Sequence, residues 1–404
     1  MTQCRNCGSD VTQFFSLGDM PLVNSFLQES ELQTEKKFDL SVGFCKKCFL
    51  VQLMQTVDPE ELFRNYIYFS STSKTILEHN ERESKYLAER LGLTADSLVL
   101  ETASNDGALL QYFQKLGVKV LGVDPAKNIA EIANKKGIPT IAEFFGYSFA
   151  KKLVSEKKVK ADLVYGANVL AHVPEILDFV KGVKTVLAES GTAVFESPYL
   201  KGLLENKFDT IYHEHVFYYS VLALVNLFDA AGLEIYDVDF VNMQGGSFRI
   251  FASHKGVFAK TERLVQTLRE EEESGYKKLA TYEKMNTNVT NLKKDLLSLM
   301  AKLQKEGKKI AAYSAPAKGI ILLNYFGIGN NYLDFIVDKA VEKQGLYTPG
   351  VHMKVYAPEK IMTDKPDYVL ILCWNIAEEV MRQLSDFQKQ GGKFIIPIPA
   401  IRVV

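Results

Sequence analysis

The sequence predicts an α/β protein in three parts, a small cysteine-bearing N-terminal subdomain followed by two Rossmann-like α/β domains. Three observations carry this. Four of the five cysteines fall in two Cys-x-x-Cys pairs, Cys4 with Cys7 and Cys45 with Cys48. Short apolar strands alternate with helical stretches from about residue 97 to 196, the pattern of a doubly wound sheet. The alternation resumes at Lys309, after a charged helical stretch, and runs to Ile396. At roughly 100–200 residues per domain, a chain of 404 residues holds two or three. The expected boundaries are 1–65, 66–255 and 256–404, the last including a helical linker.

Composition excludes several classes of function. A net charge of −1 gives no reason to expect nucleic acid or an anionic membrane as partner. No run approaches the ~20 apolar residues of a membrane span. The N-terminus Met-Thr-Gln-Cys-Arg-Asn-Cys-Gly lacks the apolar core of a signal peptide, so a cytoplasmic location is expected. Five cysteines in 404 residues do not make a disulfide scaffold.

In the N-terminal part, each Cys-x-x-Cys spacing lets two thiolates of a tight knuckle face one ion. Two knuckles complete a tetrahedral sulfur site that suits structural zinc, with Cys4, Cys7, Cys45 and Cys48 as ligands. The alternative is a set of redox or free thiols. Ser41–Phe44 leads into the second knuckle and Leu50–Leu53 leaves it, as two hairpin strands would. Cys373 sits in an apolar run and reads as core.

The middle part opens with a polar-aromatic stretch, Tyr66 to Ser73, ahead of an amphipathic helix from about Lys74 to Leu91. A strand over 97–101 runs into the turn Thr102-Ala103-Ser104-Asn105-Asp106-Gly107 and a helix over 108–116. A second strand ends at Asp124. This is a βαβ unit with a tight turn at a helix N-terminus and an acid placed to grip a ribose diol. A dinucleotide would want Gly-x-Gly-x-x-Gly at that turn. Here Gly107 stands behind Ser104, Asn105 and Asp106, polar groups and an acid where a pyrophosphate needs close neutral backbone. That disfavours NAD and favours S-adenosylmethionine, with its cationic amino-acid end. Glu101, Asn105, Asp106, Gly107 and Asp124 are the candidate cofactor residues. Asn168, ending the fourth strand, lies where the methionine part would reach.

The segment Ile211-Tyr-His-Glu-His-Val-Phe-Tyr-Tyr-Ser220 concentrates chemistry, since the whole chain has six histidines. A metalloprotease would need His-Glu-x-x-His on a helix; two histidines two apart instead share one face of a strand or loop. Acid–base chemistry is the competing reading, with one histidine as base and Tyr212 and Glu214 positioning it. The plain reading is a polar turn entering the helix Val221 to Ala231.

The cysteine knuckles, Ser104-Asn-Asp-Gly107, Asn168-Val-Leu-Ala-His-Val173 and Tyr212-His-Glu-His215 occur in this order. Together they make the chain similar, from Cys4 to Pro399, to sugar C-methyltransferases acting at carbon 3 of nucleotide-linked keto-deoxysugars of the mycarose and tetronitrose type. The resemblance implies a zinc-binding N-terminal domain, a central S-adenosylmethionine methyltransferase domain and a C-terminal α/β domain that holds the nucleotide, of dTDP type. It implies His215 as base, Tyr212 and Glu214 beside it, His172 lining the site, and Tyr68 as a substrate contact. Ala103 departs from the glycine of relatives and is expected to fit only at negative φ. The implied chemistry is proton removal from carbon 3 beside the 4-keto group, followed by attack of the enolate on the methyl. An O-methyltransferase and a non-catalytic zinc-knuckle binding protein are the alternatives.

In the last part, Leu264, Leu268, Leu279, Leu292, Leu296, Met300 and Leu303 recur at helical spacing. Packed or bridging helices are expected, and a monomer. Lys318, at a predicted helix N-terminus, is placed to meet a pyrophosphate, and Asp338 a ribose. Pro349-Gly-Val-His352 resembles a family loop near the sugar nucleotide. Trp374 and Asn375 follow a strand end on the cleft side.

Overall fold

The computed structural model describes residues 2–58, 60, 62, 69–72, 74–241 and 246–404. The N-terminal part contributes β1 (Val11–Pro21), β2 (Lys37–Cys45) and β3 (Val51–Leu53). The middle part contributes β4 (Leu98–Thr102), β5 (Lys119–Val123), β6 (Thr140–Ile141), β7 (Ala161–Ala167), β8 (Leu187–Pro198), β9 (Phe217–Tyr218), β10 (Leu233–Val241) and β11 (Ser247–His254). The C-terminal part contributes β12 (Ile310–Tyr313), β13 (Phe335–Val337), β14 (Val355–Tyr356), β15 (Tyr368–Ile371), β16 (Lys393–Ile396) and β17 (Arg402–Val403).

These strands form three sheets, in the orders β1-β2-β3-β9, β10-β11-β8-β7-β4-β5-β6 and β14-β13-β12-β15-β16-β17. The middle sheet is parallel from β6 through β8, and β11 is inserted antiparallel between β8 and β10. The apolar runs of β4 and β7 are what a parallel sheet buried on both faces requires. The third sheet is parallel except for β17. The hairpin expected around the second knuckle is present, with Phe44 opposite Val51. The helix Lys74–Leu91 spans the expected residues.

The first sheet is not a self-contained module. Its fourth strand, β9, comes from the middle of the chain and follows the Tyr212–His215 segment directly. The helix Leu279–Lys305 buries Tyr282, Met285, Val289, Leu292, Leu296, Met300 and Leu303, spaced three or four apart on one face. Tyr282 stacks on Phe44 with ring centroids 4.5 Å apart, and Lys293 Nζ donates to the Tyr325 carbonyl at 2.6 Å. This helix therefore joins the first and third sheets in one apolar core, and its stripe is covered inside the chain, as the packed-helix reading requires. A polar clasp reinforces the join: Glu35 accepts from Gly350 N at 2.9 Å and from His352 Nε2 at 2.8 Å.

The helix Val221–Ala231, which carries the chain away from the histidine segment, is fixed at its start by two acceptors. Ser220 Oγ accepts from Ala223 N, and the buried Glu271 carboxylate accepts from Val221 N at 2.8 Å, Leu222 N at 2.7 Å and Tyr199 Oη at 2.9 Å. Removing that carboxylate strands two backbone donors at a helix start, each worth roughly 1–3 kcal/mol when buried unpaired. Glu271→Ala is expected to cost about 2–4 kcal/mol in denaturant unfolding. A loss below about 1 kcal/mol would contradict this capping role.

Candidate active site

The two knuckles close on each other. Cys4 Sγ lies 3.4 Å from Cys48 Sγ, Cys7 Sγ lies 3.5 Å from Cys45 Sγ, and all four sulfurs lie within 4.8 Å of one another. Each turn is the same device: the N–H groups of Gly8 and Phe49 return to the carbonyls of Cys4 and Cys45 at 2.9 Å, with Gly8 and Phe49 at positive φ. Four thiolates at zinc distances of ~2.3 Å stand about 3.8 Å apart, so the set fits one tetrahedral zinc ion. Its close pairs run between knuckles rather than within a Cys-x-x-Cys, unlike a redox pair. With all four positions taken by sulfur, such an ion serves the fold rather than the chemistry.

A cavity of about 1110 Å³ opens where β4, β5, β7 and β8 end. Glu101, Ser104, Asn105, Asp124 and Asn168 line it, with His172, His79 and Glu196 also on its wall. Asp124 is aimed by two backbone donors, Asn105 N and Ala126 N, both at 2.9 Å. Glu101 Oε2, Ser104 Oγ and Asn168 Oδ1 are buried without a hydrogen-bond partner among the described residues. Burial, and then the charges of Asp124 and Asp106, push the Glu101 carboxyl well above its ordinary range. A cavity edged by unpartnered acceptors, with Leu109, Ala126 and Phe149 beside them, fits a nucleoside with a cationic amino-acid end.

The turn itself departs from the expected geometry. Ala103 sits at φ +53°, Asn105 at +50° and Gly107 at +78°. The expectation of negative φ at Ala103 is therefore wrong. The left-handed conformation costs an alanine on the order of 1–2 kcal/mol, and the hydrogen bonds of Ser104 N to the Val123 carbonyl and of Asn105 N to Asp124 hold it there. Asp106 and Gly107 do not line the cavity. The Asp106 carboxylate is taken by Lys136 Nζ at 2.7 Å and by the N–H and hydroxyl of Ser71, and Asn105 Oδ1 accepts from Ser70 N at 2.9 Å. These side chains tie down the segment just after Tyr68, which itself lies outside the described residues.

The Ile211–Val216 segment is a turn gripped from two sides: Val216 N donates to the Ala171 carbonyl at 2.7 Å, and Leu53 N donates to the Val216 carbonyl at 2.8 Å. The two imidazoles serve different ends. His213 Nε2 donates to the Phe38 carbonyl at 3.2 Å, and Glu214 Oε1 accepts from Asn24 at 2.5 Å, so they brace the turn against β2 and the loop after β1. His215 Nδ1 donates to the Thr210 carbonyl at 3.0 Å, and its Nε2 meets the Tyr212 hydroxyl at 2.7 Å. A carbonyl can only accept, so the neutral ring carries its proton on Nδ1 and offers the Nε2 lone pair to Tyr212. Burial holds the His215 pKa well below the ordinary 6.5, helped by neighbouring His172 and Lys318.

His172 and His215 stand edge to face with ring centroids 5.0 Å apart. His172, pushed down to about 4 by burial, faces the large cavity. His215 and Tyr212 face a second, small cavity of about 70 Å³, also lined by Lys318 and Trp374 of the C-terminal part. Lys318 thus lies beside the tyrosine–histidine pair. His352 lines neither cavity and is held by Glu35 instead. Asp338 accepts from Ala315 N at 2.6 Å and Ala340 N at 2.8 Å, repeating in the third sheet the loop-fixing role of Asp124.

The chain matches three family models end to end: "Putative zinc binding domain" over residues 4–63, "Methyltransferase domain" over 76–238 and "C-methyltransferase C-terminal domain" over 242–399. It is 36% identical to the C-methyltransferase NovU of Streptomyces niveus over 406 residues, covering 100% of this chain and 96% of that protein. The chain belongs to this C-methyltransferase family. Among solved structures, an S-adenosylmethionine-dependent methyltransferase of Clostridium acetobutylicum is 11% identical at TM-score 0.36, covering 45% of this chain and 92% of its own. Magnesium protoporphyrin IX methyltransferase of Synechocystis, solved with S-adenosylmethionine bound, is 13% identical at TM-score 0.36, covering 50% of this chain and 99% of its own. The protein is an S-adenosylmethionine-dependent C-methyltransferase with a four-cysteine zinc-binding N-terminal unit.

Two buried polar groups beside these cavities carry no sequence signal. One is Asp209, fully buried and accepting at 2.6 Å, across 165 residues, from Nε1 of Trp374, which lines the small cavity. The other is a buried charge group under the large cavity, where Arg249 meets Glu83 at 2.5 Å and Glu196 at 3.4 Å, and His79 lies 3.4 Å from Glu196. Both depend on contacts between distant segments. Because the zinc site joins the first sheet to its knuckles, Cys45→Ser is expected to remove bound zinc and lower the thermal midpoint. Metal analysis beside calorimetry checks this, and a variant that folds normally without zinc would refute the site.

Proposed function

We propose that the C-methyltransferase methylates carbon 3 of a nucleotide-linked 4-keto-deoxysugar, of dTDP type, with His215 as the base. The observation that carries this reading is the His172–His215 pair standing between a cofactor-sized cavity and a small cavity that the C-terminal part completes. Glu101, Asn105, Asp124 and Asn168 would hold the cofactor, with Asp106 and Gly107 shaping its turn. The part over 1–65 braces the turn, the part over 66–255 holds the cofactor, and the part over 256–404 holds the nucleotide through its crevice. Tyr68 would contact the substrate, and the loop of His352 would lie near the sugar nucleotide.

Carbon becomes a nucleophile when a proton beside a ketone is removed. His215 suits that task because Thr210 fixes its tautomer with the lone pair on Nε2. The substrate takes the place of the Tyr212 hydroxyl at Nε2, and the proton of carbon 3 passes to that nitrogen. The Tyr212 ring, 3.9 Å from the imidazole between centroids, keeps it in place after the hydroxyl gives way, while Glu214 acts at a distance by fixing the turn. S-adenosylmethionine, when bound, supplies a methyl carbon open to attack by carbon. His172 closes the space between the two partners, where positioning is worth more than charge.

The test is mass spectrometry of reactions with S-adenosylmethionine and a panel of nucleotide-linked 4-keto-deoxysugars. A product one methyl heavier, with the methyl on carbon, is expected; a methyl on oxygen would overturn the reading. His215→Ala is expected to lower turnover by about 100-fold or more while cofactor binding is retained. Unchanged turnover would remove His215 from the chemistry. The base must be neutral, and its pKa is depressed, so activity is kept as pH falls through 6.5, the ordinary histidine value. Half-loss of kcat/KM at that pH would contradict a depressed base.

A further inference from the structure

We infer that Lys318 is a catalytic residue that stabilises the developing enolate by donating to the 4-oxygen of the sugar, and that Asp209 and Trp374 position it. The inference rests on the carbon-3 reading above and departs from the pyrophosphate role that a lysine at a helix start would ordinarily be given.

Four observations place it there. Lys318 shares the walls of the small cavity with Tyr212 and His215, the groups that reach the proton. Its ammonium lies 5.1 Å over the Trp374 ring, whose Nε1 is spent on Asp209 Oδ2 at 2.6 Å. The Asp209 carboxylate is fully buried and attracts Lys318. A buried carboxylate nearby works against a diphosphate, but it helps keep a buried ammonium charged. The backbone of the turn before Lys318 is also committed, since Ala315 N is given to Asp338 at 2.6 Å. The usual cradle for phosphate at a helix start is therefore partly filled by the protein's own acid.

The step balances. The carbon 3–hydrogen bond breaks, its proton goes to His215 Nε2, and its electron pair forms the bond between carbons 3 and 4. The carbonyl pair moves to the 4-oxygen, where the Lys318 ammonium meets the new charge. The 4-oxygen pair then re-forms the carbonyl, the second pair between carbons 3 and 4 bonds carbon 3 to the methyl, and the carbon–sulfur bond breaks with its pair returning to sulfur. Burial pulls the Lys318 pKa below 10.5, Asp209 opposes this, and the charge of Lys207, on the wall of the same cavity, adds to the lowering. An essential charged lysine makes activity fall on the alkaline side as that lysine loses its proton.

The experiment compares wild type, Lys318→Met, Lys318→Arg and Asp209→Asn for three readouts. These are kcat and KM for the 4-keto sugar nucleotide, solvent deuterium uptake at carbon 3 with S-adenosylhomocysteine in the cofactor site, and the alkaline limb of the pH profile. Lys318→Met is expected to lower kcat and deuterium uptake together by about 100-fold or more, on the scale of losing one charge-stabilising donor, with KM changed by less than about threefold. Lys318→Arg is expected to recover part of the rate and lose the alkaline limb. Asp209→Asn is expected to move that limb to lower pH, which a merely structural role would not do. Raised KM with unchanged kcat and uptake in Lys318→Met would make the lysine a phosphate anchor and overturn this inference alone. Wild-type enzyme that methylates no 4-keto sugar would overturn the carbon-3 reading, and this inference with it.

Discussion

Neither ring nitrogen of His215 is left to solvent. The Thr210 carbonyl takes the Nδ1 proton and the Tyr212 hydroxyl meets Nε2, so one tautomer and one ring plane are selected before any substrate arrives. Burial adds the third constraint by disfavouring the imidazolium. As the proposed base, a ring prepared in this way has only the Tyr212 hydroxyl to release before proton transfer, which is where positioned groups outperform water. Everything else in the molecule is arranged so that this short turn keeps its shape.

That requirement accounts for an architecture that would otherwise look extravagant. The turn is pinned to the first sheet through Leu53 and Phe38 and to the loop after β1 through Asn24, to the middle part through Ala171, and to the next helix through Ser220 and Glu271. The zinc knuckles stand at the β2–β3 turn of the same first sheet, where Asn226 donates to the Cys48 carbonyl at 3.2 Å, so the metal-ligating unit contributes stiffness rather than a reactive ion. The third part closes the small cavity with Lys318 and Trp374, and the helix Leu279–Lys305 fastens that part to the first sheet. A single α/β domain would supply the cofactor cavity but not Lys318 and Trp374.

Local signals in the sequence were reliable where the physics is local. The cysteine spacing announced its metal site, the apolar runs announced β4, β7 and β12, and the Lys74–Leu91 helix has its expected ends. Chemistry that depends on a turn's handedness was less legible: Ala103 at φ +53° reads as an ordinary alanine until Asn105 and Asp124 are seen holding the backbone. Side-chain direction was less legible still. Asp106, in the middle of the cofactor turn, faces Lys136 and Ser71 instead of the cavity, and two histidines two residues apart point to different neighbours because a turn, not a strand, carries them. Contacts across long stretches of chain were illegible: β9 pairs with β3 across more than a hundred and sixty residues, and Asp209 finds Trp374 only in the folded protein.

The central claim is that His215 is held as a neutral base with its proton on Nδ1. Nitrogen-15 NMR of the histidine-labelled protein tests it most directly, with the resonance assigned by its loss in a His215 substitution. The account predicts a neutral ring, protonated at Nδ1 and bare at Nε2, from above neutrality down through pH 6.5, the ordinary histidine value. An imidazolium at neutral pH, or a proton on Nε2, would contradict it.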